Sequence, residues 1–578
     1  MCGLLGGIKK NWNYEKGLAV MAHRGPDGKR IEIFDDFVLG FVRLAIRDLS
    51  ESAMQPMMNT DKTVAIVFNG EIYDLEKVKS ELSSYYAFKT TSDTEVILNA
   101  YLHWGADFIH RIDGMFAIAV YDKNIGTITL YRDRFGVKPL YYYYQNSDFC
   151  FASELKGITA SCWDVNFQYD ITALYDFFTY EYIPEPKSMY QHVYKLEPGC
   201  KVVYHIQNGR LENPEKYWNL IVSPYVEAKR NIQDVSKEIQ VILNKSIKDQ
   251  LVADVEVGTF LSGGIDSSIV TAATNMMGYK MKAFSIGFDT IDKYAHYDER
   301  EYAKILAQAY DIQLIQKVFT KDDLSNIYNN IQAWYDEPYG AHSCYPSYFL
   351  ANIVKENGVS VVLTGDGGDE IFGGYTRYAD FKERCEKKCI DNHLISEIFY
   401  KNFYYKKNKL APLFLEKVAM YGVTVDWYAS KGKRKMLERL GIQVPKDYDD
   451  FWYIRKYDNP DLPAITRAQY IDFHTYLPSV CLQKVDRATM QFSIEARVPF
   501  CSKEVVEYAF SLSEEERLPA GELKGALKNA YRSIVPESIL DKRKKGFTYP
   551  PTYNETRGIY EFRKSIFDIF IPNGIADR

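Results

Sequence analysis

Apolar and polar positions alternate in two different ways along this chain. Up to about residue 205 the apolar residues come in short runs rich in β-branched and aromatic side chains, most of them closed by Gly, Asn or Asp. Examples are 37–48 (FVLGFVRLAIRD), 63–74 (TVAIVFNGEIYD), 114–122 (GMFAIAVYD) and 127–144 (TITLYRDRFGVKPLYYYY). Runs of this kind predict strands. One helix is expected over 92–105 (SDTEVILNAYLHWG), with Ser92 as N-cap and Glu95 completing a capping box. Two stacked β-sheets with a few helices is therefore the predicted architecture of residues 1–205. Turn signals in LEPG and QNGRLENPEKYW mark a connection, placed at 206–230. From 231 to 578 the texture changes. Helical periodicity, as in 235–251 (VSKEIQVILNKSIKDQL), alternates with apolar strands at 255–261, 281–288 and 359–365. That pattern predicts an α/β unit, a parallel sheet wound on both faces by helices. Residues 375–470 read as helical, Lys- and Tyr-rich, and carry no motif.

Length and composition sharpen this picture. A chain of 578 residues is too long for one hydrophobic core, so two or three domains are expected. Seventy-one basic against 77 acidic side chains give a net charge of −6, which argues against a nucleic-acid-binding surface. The 47 Tyr and 32 Phe are spread along the whole chain and read as core and interface residues. Nine cysteines without a pairing pattern point to a reducing compartment. No apolar run is long enough to span a membrane, and the start, MCGLLGGIKK, is too short in its apolar run for a secretory signal. A cytoplasmic protein is expected. Cys385, Cys389 and His393 fall at i, i+4 and i+8, which would line up on one helix face. No fourth metal ligand accompanies them, so a basic surface helix is the reading favoured.

Cys2 is the first residue with evident chemistry. Removal of Met1 would leave it with a free α-amine beside its own thiol, and an amine titrating near pH 8 can accept the thiol proton. One residue then supplies nucleophile and base. Around it come HRGPD (23–27), VRLAIRD (42–48), NGEIYD (69–74), TSDTEV (91–96), DGMFA (113–117) and RDRFGVKPLYY (132–142), in that order. This set resembles the glutaminase domain of class II glutamine amidotransferases, an N-terminal-nucleophile hydrolase fold. The resemblance implies that Cys2 attacks the side-chain amide of glutamine, with Asn69 and the Gly70 N–H forming the oxyanion hole. It implies further that glutamine lies along Arg43, Leu44, Ala45, Ile46 and Arg47. Arg43 takes the α-carboxylate, and Glu71 and Asp93 take the α-amino group. The chemistry asks for these types independently: a tetrahedral intermediate needs donors, and a zwitterion needs a forked cation and a carboxylate. Asp74 stands where the family usually has Asn, just outside the binding residues.

The second concentration of chemistry is FLSGGIDSS (260–268), directly after an apolar strand and opening a helix expected to start at Ser267. Two glycines let N–H groups approach an anion, and the helix N-terminus favours negative charge. The carboxylate of Asp266 would repel phosphate unless a cation lay between them, so the loop predicts Mg²⁺. LSGGIDSS resembles the pyrophosphate loop of ATP pyrophosphatases. The resemblance implies ATP contacts from Leu261, Ser262, Gly263, Gly264, Asp266 and Ser267, from Ile286 in FSIGF (284–288), and from Thr364 and Gly365 in LTGDGGDEIFGGY (363–375). Asp369 would be a second metal carboxylate beside Asp266. With YDEREYA (297–303), YDEP (335–338), YLPSVCLQKVDRATM (476–490), IEARVPF (494–500), LKGALKNAY (523–531) and RKKGFTYP (543–550), the chain resembles the asparagine synthetase family along nearly its whole length.

That family resemblance implies two reactions: glutamine hydrolysis releases ammonia at Cys2, and aspartate with MgATP forms β-aspartyl-AMP and pyrophosphate in the second domain. Lys545 would neutralise charge building on the α-phosphate and the departing pyrophosphate. Ammonia must meet the adenylate unprotonated, so an enclosed passage is expected. Asp366, assigned to acceptor activation, stands where better-known members have Glu, GDGGDE replacing GEGSDE. Together with the unmatched segment 375–470 it keeps open a rival, the same chemistry on a carboxylated sugar or antibiotic precursor. A second rival, a non-catalytic storage or binding protein, would be expected to have lost Cys2 or the SGGID loop, and both are intact. The expected small-molecule partners are glutamine, aspartate and ATP, with no nucleic acid or membrane, and a homodimer is compatible with the family.

Overall fold

The computed structural model describes residues 2–223, 230–289, 297–386, 416–422, 430–542, 546–553 and 559–572, together with 392, 394–396, 398 and 575. Lys545, Cys389 and His393 lie outside the described residues.

The first part of the chain is built on two antiparallel sheets. One has six strands in the order Val193–Lys195, Tyr141–Gln145, Asp148–Ala152, Gly3–Ile8, Phe37–Arg43 and Gly28–Ile33. The other has seven and runs from Arg210–Leu211 through Cys200–His205, Thr127–Arg132, Gly114–Asp122 and Val64–Ile72 to Met57–Met58, with Glu215–Lys216 paired to Cys200–His205. Successive strand residues face opposite ways, and the sequence uses both faces. Ala65 and Val67 turn inward to meet Leu39 and Phe41 of the first sheet. Val64, Ile66 and Phe68 turn outward onto Val96, Ile97 and Ala100 of the helix Asp93–Trp104. Leu5, Val38 and Val42 form the far face of the first sheet and pack against Leu18, Leu155 and Ile158 on short helices. The result is a helix–sheet–sheet–helix sandwich, as expected.

Several local expectations are corrected. The run 37–48 stops pairing at Arg43 and leaves 44–48 as loop. The run 127–144 is two strands in different sheets, Thr127–Arg132 and Tyr141–Gln145. Asp133 fixes the crossing between them, its carboxylate accepting from the N–H groups of Phe135, Val137 and Lys138. Ser92 does cap its helix, accepting from Thr94 N, but Glu95 does not complete a capping box. Its carboxylate reaches back instead to the N–H groups of Lys89 and Thr90 and ties down the approach to the helix.

The second part holds a five-stranded parallel sheet in the order Gln313–Phe319, Lys282–Phe288, Val257–Phe260, Val361–Leu363, Glu495–Arg497. Helix Ile232–Asp249 turns Val235, Ile239, Leu243 and Ile247, spaced by four, into the core it shares with the helices Gly525–Tyr531, Lys503–Ser511 and Ile265–Met276, and starts at Asn231, whose side chain accepts from Gln233 N. Strand order reverses between Val257–Phe260 and Val361–Leu363. A crevice opens at the C-terminal ends of such a pair, where open α/β sheets bind their ligands. Two strands went unpredicted. Gln313–Phe319 is a half-exposed edge strand without an apolar run, and Glu495–Arg497 is only three residues long and carries two charges. Among the described residues, no helix is long and apolar enough to cross a membrane.

Candidate active sites

Cys2 sits immediately before the strand Gly3–Ile8, which pairs with Phe37–Arg43 on one side and Asp148–Ala152 on the other. Its position is therefore set by the sheet. The Cys2 backbone N–H donates to Asn69 Oδ1 at 2.8 Å. The other arm of that amide, Nδ2, is buried with no hydrogen-bond partner. A buried donor without an acceptor is costly unless something else will occupy it, and an oxyanion would. Leu44 N–H donates to Cys2 Sγ at 3.5 Å. Burial pushes the Cys2 thiol upward from its ordinary pKa, so the resting group is a thiol that needs a base.

The remaining expected glutamine residues surround this pair. Asn69, Gly70 and Glu71 are consecutive on the strand Val64–Ile72. Arg43 ends its strand and donates to the carbonyls of Ser50, at 2.7 Å, and Asp48, so its guanidinium braces the loop that follows it. Ala45 N–H is held by Asp27 at 2.8 Å, and the Ile46 carbonyl accepts from Asp254 N at 2.9 Å. Arg47 lies 3.1 Å from Glu71 Oε1. Burial lifts Glu71 to a pKa of about 8 against the pull of Arg497, and lifts Asp93 to about 6 against Arg47. Both carboxyls are thus poised to gain from a positive ligand. Asp74 is half-buried beyond this group, where it accepts from Asp113 N at 3.0 Å.

At the second site a cavity of 590 Å³ opens over the C-terminal ends of the parallel strands. Ser262, Gly264, Asp266, Ser267, Ile286, Thr364, Gly365, Asp366 and Asp369 all line it. Leu261 and Gly263 do not. Leu261 is buried in the core beneath, and Gly263, at φ 80°, makes the turn against the backbone of Glu299. The helix after the loop begins at Ile265, two residues earlier than expected, with Gly264 as its N-cap. Ser262 and Ser267 hydroxyls lie 3.0 Å apart and hold the loop closed on itself. The loop at 364–369 packs so tightly on this helix that a Cβ at Gly365 would lie 2.6 Å from Ser267 N.

Asp266 and Asp369, the two expected metal carboxylates, converge on one cation. Lys524 Nζ lies 2.5 Å from an oxygen of each. Two facing carboxylates with phosphate oxygens to complete the shell suit Mg²⁺, which takes one or two carboxylates of this kind. Lys524 belongs to the segment LKGALKNAY, which stands out in the sequence without giving this lysine a role. It is distant along the chain from both carboxylates, and only the fold reveals the contact. Lys542 was missed likewise: its ammonium donates to the Gly263 carbonyl at 3.4 Å and pairs with Glu299. Asp366 is paired with Lys484 at 3.0 Å. Burial works against the Lys484 ammonium, yet Asp366 beside it leaves its pKa raised. Glu370, behind them, is held protonation-prone by burial and by Asp369, and accepts from the Tyr375 hydroxyl at 2.6 Å. Gly546, Phe547 and Thr548 close the cavity from the C-terminal side.

Two family models match the chain: a glutamine amidotransferase domain over residues 1–218 and asparagine synthase over 238–568. Among similar proteins, asparagine synthetase [glutamine-hydrolyzing] 1 of Bacillus subtilis is 31% identical, over 92% of this chain and 83% of its own length. A putative asparagine synthetase [glutamine-hydrolyzing] 2 of Methanocaldococcus jannaschii is 36% identical over 65% of this chain and 76% of its own. A putative asparagine synthetase [glutamine-hydrolyzing] of Mycobacterium bovis is 31% identical over 92% and 83% respectively.

Proposed function

The chain belongs to the asparagine synthase family, and on that premise we propose that it transfers the amide nitrogen of glutamine to an ATP-activated aspartate. The products are asparagine, glutamate, AMP and pyrophosphate. The Cys2 α-amine, freed by loss of Met1, takes the thiol proton as Sγ attacks the glutamine amide carbon. The unpartnered Asn69 Nδ2 and the Gly70 N–H receive the developing oxyanion. Arg43 holds the α-carboxylate, and Glu71 with Asp93 holds the α-ammonium group. In the second site the loop Ser262–Ser267 and Thr364–Gly365 cradle ATP, with Ile286 against the base. Asp266 and Asp369 would hold Mg²⁺, which supplies charge neutralisation on the phosphates. Lys524, lying between those carboxylates, and Lys542, on the loop carbonyl, are placed to balance the departing pyrophosphate, a task shared with Lys545. Asp366, anchored by Lys484, faces the acceptor.

The observation that carries this reading is the coexistence, in one chain, of a Cys2 locked onto Asn69 and a nucleotide cavity whose paired carboxylates converge on a cation. Purified protein incubated with MgATP, glutamine and aspartate should yield asparagine and AMP in equal amounts. AMP formed with another carboxylate but not with aspartate would overturn the choice of acceptor. Glutamate formed with no nucleotide consumed under any acceptor would overturn the second site.

A further inference from the structure

We propose that Arg497, carried by the edge strand of the nucleotide-binding sheet, is a positioning residue of the glutamine site. Its guanidinium favours the ionised form of the Glu71 carboxylate and aims it, so that Glu71 can receive the substrate's α-ammonium group. The inference rests on the reading of Glu71 as the group that receives it.

The geometry is specific. Arg497 is fully buried, and Nη2 stands 3.2 Å from Glu71 Oε2, across 426 residues of sequence. Arg47 stands 3.1 Å from the other oxygen. The rest of the Arg497 guanidinium is fixed: Nε donates to Glu495 at 2.6 Å, and Nη1 to the carbonyls of Gln250 at 2.8 Å and Val252 at 2.7 Å. It is a rigid fork with one tine left for Glu71, a use to which arginine is better suited than lysine. Its own backbone is part of the second site's frame, since Thr364 N–H donates to the Arg497 carbonyl at 2.9 Å.

Glu71 needs such support. Around it stand Asp93 and Glu495, which oppose its charge, Arg47 and Arg497, which favour it, and the buried phenol of Tyr73. Burial is the largest influence and Arg497 the largest counterweight. A neutral Glu71 cannot pair with an ammonium group. Binding of glutamine therefore draws on the ionised form, and KM should rise as pH falls below the Glu71 pKa of about 8. Without Arg497 that limb moves to higher pH. A shift of one unit is about tenfold in the ionised fraction at neutral pH.

The test measures glutaminase kcat and KM between pH 6 and 9.5 for the full chain and for Arg497→Gln, Arg497→Lys and Glu71→Gln, with ammonia-dependent synthesis as the check of folding. Arg497→Gln should raise the glutamine KM about tenfold at pH 7 and move its acid limb up by about one unit, while the acid limb of kcat stays in place. Arg497→Lys, which keeps charge and approximate volume, should do the same to a smaller extent, and it carries the test if the Gln variant is recovered unfolded. A merely structural role would raise KM without moving its limb. A folded Arg497 variant with wild-type KM and limb, alongside a Glu71→Gln that raises KM, overturns the proposal and spares the role of Glu71. Wild-type KM in Glu71→Gln overturns the role of Glu71 itself.

Discussion

Asp266→Asn isolates the charge of one side chain at the nucleotide loop. The substitution preserves shape, so packing against Gly365 and Gly368 should persist. It removes half of the carboxylate pair around Lys524, whose ammonium lies 2.5 Å from Asp266 and 2.5 Å from Asp369. The amide oxygen of the substituted side chain still accepts from the charged ammonium, so only the Coulombic part of the ion pair, about 1–2 kcal/mol, is lost. Relief of repulsion from Asp369 offsets part of that loss. The fold should therefore lose about 1 kcal/mol, a fall in Tm of only about 1–2 °C for a unit of about 350 residues, because the entropy of unfolding grows with chain length. Catalysis should suffer far more. A cation held against pyrophosphate is worth several kcal/mol at the transition state, and each 1.4 kcal/mol is about tenfold in rate. Pyrophosphate release, measured with saturating aspartate and ammonium, should fall at least about 100-fold, with glutaminase activity within about twofold of wild type. The competing account, in which Asp266 caps the helix, predicts that Asn serves nearly as well. The structure already makes Gly264 the N-cap. Near-wild-type turnover in Asp266→Asn would mean that the loop is structural, and the nucleotide site would have to be sought elsewhere.

Other outcomes follow from the same geometry. Cys2→Ala should abolish glutamine-dependent synthesis and leave ammonia-dependent synthesis within about twofold; loss of both while the wild type uses ammonium would refute two separable sites. Retention of Met1, verified by intact mass, should behave like Cys2→Ala because the amine becomes an amide, and full glutaminase activity with Met1 present would remove Cys2 from the role of its own base. Lys524→Met should weaken the nucleotide reaction at least about tenfold and leave the glutaminase KM unchanged, read by pyrophosphate release and by glutamate formation on the same preparation.

What could be read from the sequence was whatever lay close together along it. FLSGGIDSS shows its strand, turn and helix because one short loop carries all three, and NGE puts Asn69 and Glu71, proposed as oxyanion donor and ammonium acceptor, on one strand. The capping box failed for a local reason as well. Glu95 had a choice of N–H donors, and the loop at Lys89–Thr90 offered more of them than the N-cap did. The run 127–144 misled in another way: the charges, Gly136 and Pro139 break it visibly, but nothing along the chain says that its two halves enter different sheets. Arg132 and Tyr141 lie on either side of that break, and Asp133 between them is buried as the anchor of a turn.

The contacts between distant segments could not be read, and in this molecule many of them are buried charges. Arg24 is fully buried and lies 2.8 Å from Glu154 and 2.9 Å from Asp486. Arg487 lies 3.0 Å from Glu154 and 3.0 Å from Asp336. In the sequence HRGPD and KVDRATM each look like solvated charge, because a lone Arg or Asp usually is. Taking such groups out of water costs several kcal/mol per ion, which the mutual attraction roughly repays. Removing one partner would strand the others at a cost of about 3–5 kcal/mol. The network therefore adds little net stability but penalises any docking of the two halves that leaves a charge unmatched. The same logic applies to Arg497 and Glu71, where a side chain of the parallel sheet completes a buried pair with one of the antiparallel sandwich. The residues that join the two chemistries are thus ones whose partners lie hundreds of positions away. Their roles became visible only when the fold brought opposite charges into the same dry space.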